Sequence, residues 1–192
     1  MKKAFTNSIV NTLIIGVFFI ISHSTFSQSS IRFGIRGGVH AGTQFGQAII
    51  TNPKGTLIGF EGAIFANIEL SDDISLCPEI AFSQKGFKID TMEMTSNYIE
   101  VPLLLKINMG DGGIYTIIGP YVSYLPTVNI NAPDEKALGF GGTFGFGTRV
   151  GDHLLIEARY NFNGNIWKLG SDSANLYGFR NTTIGLSLGY LF

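Results

Sequence analysis

The chain has 192 residues, which is room for one domain, and its formal net charge is −1 because 13 Lys and Arg oppose 14 Asp and Glu. This balance, with no basic run beyond Lys2-Lys3, excludes the electrostatic footprint of a nucleic-acid-binding protein. Only 14% of residues are charged and the mean hydropathy is +0.25, which is unusually apolar for a soluble domain. After the N-terminal segment there is no apolar run of ~20 residues, so a closed barrel is the expected membrane structure.

The N-terminus has the three parts of a secretory signal peptide. Lys2 and Lys3 precede a short apolar core, Leu13 to Ile21, and small polar residues follow up to Ser27. A membrane anchor is the alternative, but the apolar core is short for a span. The sequence therefore predicts a signal peptide over residues 1–27 and an outer-membrane β-barrel domain over residues 28–192. Cys77, the only cysteine, excludes an intramolecular disulfide.

From Ser30 onward, apolar and polar residues alternate with a period of two. Such alternation places one set of side chains on each face of a sheet. The segments are Ile31–His40, Ile58–Glu69, Ile74–Phe87, Tyr98–Asn108, Gly113–Leu125, Gly139–Arg149, Leu154–Phe162 and Ile184–Phe192. An even number of about eight is typical of bacterial outer-membrane barrels. The predicted fold is an all-β, eight-stranded antiparallel up-and-down transmembrane barrel.

The links between these segments alternate in length. Three are tight and rich in turn residues, namely Ser71–Asp73, Met109–Gly112 and Gly151–Asp152. Four are longer and more polar, namely Ala41–Thr56, Lys88–Ser96, Pro126–Ala137 and Gly164–Gly178. This rhythm predicts periplasmic turns and extracellular loops in the bacterial outer membrane, with both mature termini in the periplasm.

One predicted face is almost uniformly apolar and the other carries charges, four acidic and four basic. These candidate lumen charges are Arg36, Glu61, Glu79, Glu100, Lys106, Arg149, Glu157 and Arg159. An eight-stranded barrel is just wide enough for side chains to fill, and buried charges need partners. A filled, charge-paired lumen is therefore expected rather than an ion path. The alternative is a soluble lipocalin-like carrier of a small apolar ligand, which would turn its apolar face inward.

Three prolines fall inside predicted strands, although a closed barrel has no free edge to accommodate them. They are Pro78, Pro102 and Pro120. We expect β-bulges at these positions.

Two short patterns suggest processing by other proteins. Tyr190 and Phe192 end an alternating apolar run and resemble the signal read by barrel-assembly machinery, although Ser187 stands where a glycine is usual. Asp90-Thr91-Met92 and Asp172-Ser173-Ala174 resemble O-glycosylation sites, which makes Thr91 and Ser173 the candidate acceptors.

Four stretches of the chain and its ending form a recognisable pattern: Phe82 to Phe87 (FSQKGF), Tyr98 to Lys106 (YIEVPLLLK), Gly119-Pro120-Tyr121 and Arg159-Tyr160. On these residues the chain resembles the PorT-like outer-membrane β-barrel family of Bacteroidetes. The resemblance implies an outer-membrane barrel and a candidate role as an accessory component of a protein-secretion system. It also implies that a proline is usual in this family at the Pro102 position.

No catalytic set emerges from the sequence. The topology puts His40 near the loop end and His153 beside a tight turn, so they cannot share a metal or a proton. We expect a non-enzymatic protein without cofactor, whose loops serve a structural or interaction role. The expected partners are outer-membrane lipid, the assembly machinery and secretion or envelope proteins.

Overall fold

The computed structural model describes residues 30–45, 55–89, 92–125, 137–168 and 180–192. They form eight strands: β1 (Ile31–Phe45), β2 (Gly55–Glu69), β3 (Ile74–Ile89), β4 (Met92–Asn108), β5 (Ile114–Leu125), β6 (Ala137–Val150), β7 (Leu154–Lys168) and β8 (Arg180–Leu191). Each strand pairs antiparallel with the next, and β8 pairs with β1 to close the barrel. The predicted eight-stranded up-and-down barrel is confirmed. Within the described ranges no helix is long and apolar enough to span a membrane.

Side chains alternate across the barrel wall as the period of two predicts. Along β2, Ile58 and Ile64 point outward and are 77% and 60% exposed. Glu61, which lies between them, and Phe65, which follows Ile64, are buried. Exposed apolar side chains recur in this way on every strand, and the polar ones turn inward. The barrel therefore has an apolar outer wall and a polar interior, the reverse of a soluble protein.

The strands are tilted, because their register is staggered around the barrel. A row of cross-strand partners that starts at Ile31 returns to β1 at Ala41 instead of at its starting residue. A closed sheet with such a stagger must have inclined strands. The row itself climbs around the outer wall and is mostly apolar; its members are Ile31, Ile68, Leu76, Leu105, Ile118, Phe144, Tyr160 and Ile184.

Tight turns close three hairpins at one end of the barrel, where the described chain also begins and finishes. They lie between Glu69 and Ile74, between Asn108 and Ile114, and between Val150 and Leu154, close to the predicted positions. Gly113 adopts a φ of 73°, a left-handed conformation that favours glycine. A Cβ there would lie 2.7 Å from the backbone oxygen of Arg149, so the turn also lacks space for a side chain.

The prediction of a long loop over Lys88–Ser96 was wrong. β3 extends to Ile89 and β4 begins at Met92, and these two residues are cross-strand partners. Only two residues connect the strands, so short and long links do not strictly alternate. Polar composition suggested a loop, but the ladder continues through pairs such as Lys88 with Glu93. Backbone pairing does not require an apolar period, so a polar segment can continue a strand.

The prediction of bulges at Pro78, Pro102 and Pro120 was also wrong. The register is the same on both sides of each proline. The pairing is instead interrupted locally, as in the gap between β4 and β5 beside Pro120. Each proline lacks one donor, while the flanking hydrogen bonds hold the register. The two register shifts lie elsewhere, between Thr56 and Glu61 and between Gly139 and Gly141.

Candidate functional site in the barrel interior

The inward-facing side chains of the strands bring most of the predicted lumen charges together. Seven of the eight are buried: Arg36, Glu61, Glu79, Glu100, Lys106, Glu157 and Arg159. Arg149 is exposed beside the turn that follows β6, so its assignment to the interior was wrong. By alternation Arg149 belongs to the inward-facing set of β6, but it lies too near the end of the strand for the barrel to enclose it.

Lys85 is buried in the interior as well and was missed as a lumen residue, and His40, which alternation places on the polar face of β1, is also buried. Lys85 has the same parity on β3 as Glu79, so alternation alone could have found it. Pro78 interrupts the apolar residues on the outward face of that segment, so its period of two is less regular and the inward position of Lys85 is harder to predict.

Two arginines and three glutamates form an ionic network in the middle of the lumen. Arg159 donates to both oxygens of Glu79, with N–O distances of 2.9 and 2.8 Å, and its Nε lies 2.8 Å from Glu157. Arg36 donates to Glu79 at 3.0 Å and also to Glu61. These five residues, termed the ionic network, come from β1, β2, β3 and β7, so they tie opposite walls together. Charge-assisted bidentate bonds of this kind are the strong ones.

The remaining lumen charges have their own partners. Lys85 Nζ lies 2.6 Å from Glu100 Oε1, and the rings of Tyr98 and Tyr121 flank it at 5.6 and 5.4 Å. Lys106 lies 4.1 Å from the centre of the Tyr115 ring, which suits a cation–π contact. Among the residues whose burial the structure describes, the buried charges are then four Glu and four Lys or Arg.

A layer of apolar side chains packs between the ionic network and the tight-turn end. Its members are Phe65, Cys77, Leu104, Tyr115, Ile117, Leu155 and Leu191. Tyr115 connects the two layers because its hydroxyl donates to Glu157 at 2.8 Å. A cavity of about 10 Å³ lies between the layers. That volume holds one water molecule at most.

His40 and His153 lie towards opposite ends of the barrel, as the topology predicts. His40 fits between Gly59 and Gly185, and its Nε2 lies 2.9 Å from the backbone oxygen of Gln84. His153 sits in the turn before β7, where its Nδ1 lies 2.7 Å from the backbone oxygen of Leu191. The described residues include no group of three or more His, Cys, Asp or Glu that could hold a metal.

The two candidate assembly residues lie on the outer wall at the tight-turn end. Tyr190 and Phe192 are 45% and 62% exposed, and their rings meet edge to face at 5.4 Å. The backbone nitrogen of Phe192 donates to Phe33 at 2.8 Å, which extends the closure between β8 and β1. The candidate glycosylation residues Thr91 and Ser173 lie outside the described residues.

The arrangement is chemically that of a filled, ion-paired core. A soluble carrier of an apolar ligand needs an apolar interior and a polar outer wall. This barrel has the opposite distribution, so its geometry contradicts the carrier alternative.

Comparison with known proteins agrees with this architecture. The family model described as "Outer membrane protein beta-barrel domain" matches residues 26–164. None of the curated proteins matches the chain.

Solved structures of outer-membrane barrels have the same fold. Neisserial surface protein A is 14% identical, with a TM-score of 0.58, over 83% of this chain and 97% of its own. Ail of Yersinia pestis is 13% identical, with a TM-score of 0.52, over 84% of this chain and 98% of its own. AlkL, another outer-membrane protein, is 10% identical, with a TM-score of 0.50, over 88% and 93%. At these identities the likeness concerns the fold alone. The family match covers most of the chain, which therefore belongs to the outer membrane protein beta-barrel domain family.

Proposed function

We propose that this protein is a non-enzymatic outer-membrane barrel with a closed lumen, which acts through the segments that connect its strands outside the cell. The observation that carries the proposal is the neutral, ion-paired filling of the interior. Four acidic and four basic side chains occupy the space in which a channel would hold water. The apolar layer beneath them adds a second barrier.

An ion crossing this lumen would have to break buried charge pairs and then enter the apolar layer. Breaking one buried pair by removing a partner typically costs about 3–5 kcal/mol. Glu79 alone accepts three hydrogen bonds from two arginines, so opening a path there disrupts several pairs at once. The filling therefore favours a structural or interaction role over transport.

Planar-bilayer recording tests the closed lumen. We expect the purified wild-type chain to give no stable conductance. Leu104→Ala removes a fully buried side chain from the apolar layer, and Leu105→Ala removes the same atoms from the outer wall, where Leu105 is 40% exposed. Only the first variant is expected to produce small openings. A large, stable conductance from the wild-type chain would contradict the proposal.

We also propose that the tight turns and both ends of the barrel domain face the periplasm and that the longer links face outward. This orientation follows the usual arrangement of bacterial outer-membrane barrels. In a Cys77→Ser background, an impermeant maleimide added to intact cells should label Asn131→Cys in the link between β5 and β6. It should not label Asp111→Cys in the tight turn between β4 and β5. The reverse labelling would refute the orientation.

A role as an accessory component of a secretion system rests on the PorT-like resemblance alone. Comparing the secreted proteins of a deletion strain with those of its parent tests this role. An unchanged secretome would remove it.

A further inference from the structure

Six buried side-chain atoms of the described residues have no hydrogen-bond partner within the protein. They are Arg36 Nε, His40 Nδ1, Ser83 Oγ, Tyr121 Oη, Asn163 Oδ1 and Ser187 Oγ. Proteins seldom leave a polar atom both buried and unpartnered, because such an atom loses its bonds to water and gains none in return. Six of them inside one small barrel therefore require partners that the protein itself does not supply.

Four of the six atoms lie on the side of the ionic network that faces away from the tight turns. On β3, Ser83 lies two inward-facing positions further from the tight turn than Glu79. His40 on β1 and Asn163 on β7 have the same offset from the network arginines of their strands. Tyr121 on β5 completes the group, and these four side chains, termed the loop-side layer, are at most 4% exposed. None of the six atoms belongs to the apolar layer.

Within the loop-side layer, Tyr121 and Asn163 stand on either side of a glycine. Gly141 on β6 is the cross-strand partner of both residues, and the Tyr121 ring folds across it into the space that a Cβ would need. Asn163 uses its Nδ2 to donate to Ser123 at 3.4 Å, which leaves its Oδ1 as a free acceptor. The Tyr121 hydroxyl is a free donor. A single water molecule can accept from this hydroxyl and donate to the amide oxygen.

His40 and Ser83 stand on either side of Gly59 on β2 in the same manner. A Cβ on Gly59 would lie 2.6 Å from Nε2 of His40, so the imidazole also uses the space of a missing side chain. That Nε2 lies 2.9 Å from the backbone oxygen of Gln84, and because a carbonyl only accepts, Nε2 carries the hydrogen. In the neutral ring, Nδ1 is then an acceptor without a donor, and the Ser83 hydroxyl is a donor without an acceptor.

We propose that bound water molecules fill the loop-side layer of the lumen and end at the ionic network. Water suits this layer because it donates and accepts at once, and a buried water typically makes about three hydrogen bonds. A small ion suits it less, since the buried charges beside the layer, Lys85 and Glu100, already neutralise each other at 2.6 Å. The lumen is then wet on one side of the network and apolar on the other. This inference does not depend on which end of the barrel faces outward.

Water-edited solid-state NMR of the full chain, folded in lipid bilayers, tests the layer residue by residue. Magnetisation that starts on water should reach Ser83 and Asn163 early, and Leu104 and Leu155 in the apolar layer late. Late transfer at all four would show that the loop-side layer is dry. It would overturn the proposal but leave the closed lumen untouched. Early transfer at all four would show water on both sides of the network, and would overturn both the boundary at the network and the closed lumen.

Removal of a single hydroxyl gives a second test, in which the sign of the effect decides. Tyr121→Phe keeps the ring beside Lys85. If water binds the hydroxyl, the variant loses one hydrogen bond, and its equilibrium constant for unfolding should rise by about fivefold. An unchanged or lower constant would overturn the proposal, because losing an unpartnered buried hydroxyl does not destabilise the fold.

Tyr115→Phe is the matched control for this measurement. Its hydroxyl has a protein partner, Glu157 at 2.8 Å, so its constant should rise whether or not water is present. Denaturant titration in detergent micelles measures both variants, and heat-modified gel mobility identifies any variant that has not folded.

Discussion

At the scale of single residues, Glu79 is the centre of the barrel interior. Its carboxylate is almost fully enclosed and accepts hydrogen bonds from Arg36 on β1 and Arg159 on β7. Both arginines are buried, so neither can regain water if the carboxylate is removed. The stability of the ionic network therefore depends on this one residue more than on Glu61, which bonds to a single arginine.

Glu79→Ala is expected to lower the free energy of unfolding by about 3–5 kcal/mol, because it leaves buried cations without a partner. Glu69→Ala, at the half-exposed end of β2, is the matched control and should change it by less than about 0.5 kcal/mol. Denaturant titrations in detergent micelles, followed by the fluorescence of Trp167, measure both. Equal stability of the two variants would mean that the network does not hold the walls together.

The sequence predicted which charges face inward but not how they pair. Alternation along one strand assigns a face, and it placed Glu79 and Arg159 correctly inside. It does not report depth, which is why Arg149 was assigned to the lumen although it lies exposed at the end of β6. The partners across the lumen depend on the stagger of the whole barrel, which no single segment reveals.

The assembly role of Tyr190 and Phe192 and the modification of Thr91 and Ser173 stay predictions.

At the scale of elements, the hairpins tolerate missing hydrogen bonds better than they tolerate strained turns. The register runs unbroken past Pro102 and Pro120, since long strands have many other bonds to fix it. The turn between β4 and β5 depends on fewer bonds and on one specific backbone conformation. Gly113 holds a left-handed conformation there, and its backbone oxygen accepts from Arg149 at 2.8 Å.

Gly113→Ala is therefore expected to destabilise the barrel by about 1–2 kcal/mol, the cost of a left-handed conformation with a Cβ. Contact with the backbone of Arg149 adds to it. Gly112→Ala is the control, because a Cβ there meets nothing within 4 Å and that residue has no positive φ. The same unfolding titration compares them, and a loss of the same size at Gly112 would contradict the role assigned to the turn geometry.

The strands themselves could be predicted because lipid on one side and a filled lumen on the other impose a strict period of two. That constraint ends where the wall leaves the lipid. It explains why β3 was predicted to end at Phe87 and β4 to begin at Tyr98, although the strands reach Ile89 and Met92, and why β7 runs past its predicted end at Phe162 to Lys168. The bulges were predicted at prolines, but the register shifts lie between Thr56 and Glu61, a stretch that contains Gly59, and between Gly139 and Gly141. Glycines inside strands often mark such irregularities, so the glycines were the better signal.

At the scale of the whole molecule, the barrel inverts the distribution of side chains found in soluble proteins. Exposed apolar side chains such as Ile118 cover the outer wall, while the charged ones are paired within the lumen. Stability should then depend on the depth at which a charge is placed on that wall, because the cost of a cation is greatest in the middle of the hydrocarbon.

Two isoleucines on β5 test this dependence. Ile114 and Ile118 both face outward and are 51% and 49% exposed, so exposure does not distinguish them. Ile114 begins the strand beside the tight turn, whereas Ile118 lies two outward-facing positions further along the strand. Ile118→Arg should lower stability in lipid vesicles by about 2–4 kcal/mol and Ile114→Arg by about 0–1 kcal/mol. Reversible unfolding from vesicles into guanidinium measures both values. Similar losses, or the larger loss at Ile114, would mean that Ile118 does not lie nearer the centre of the bilayer than Ile114.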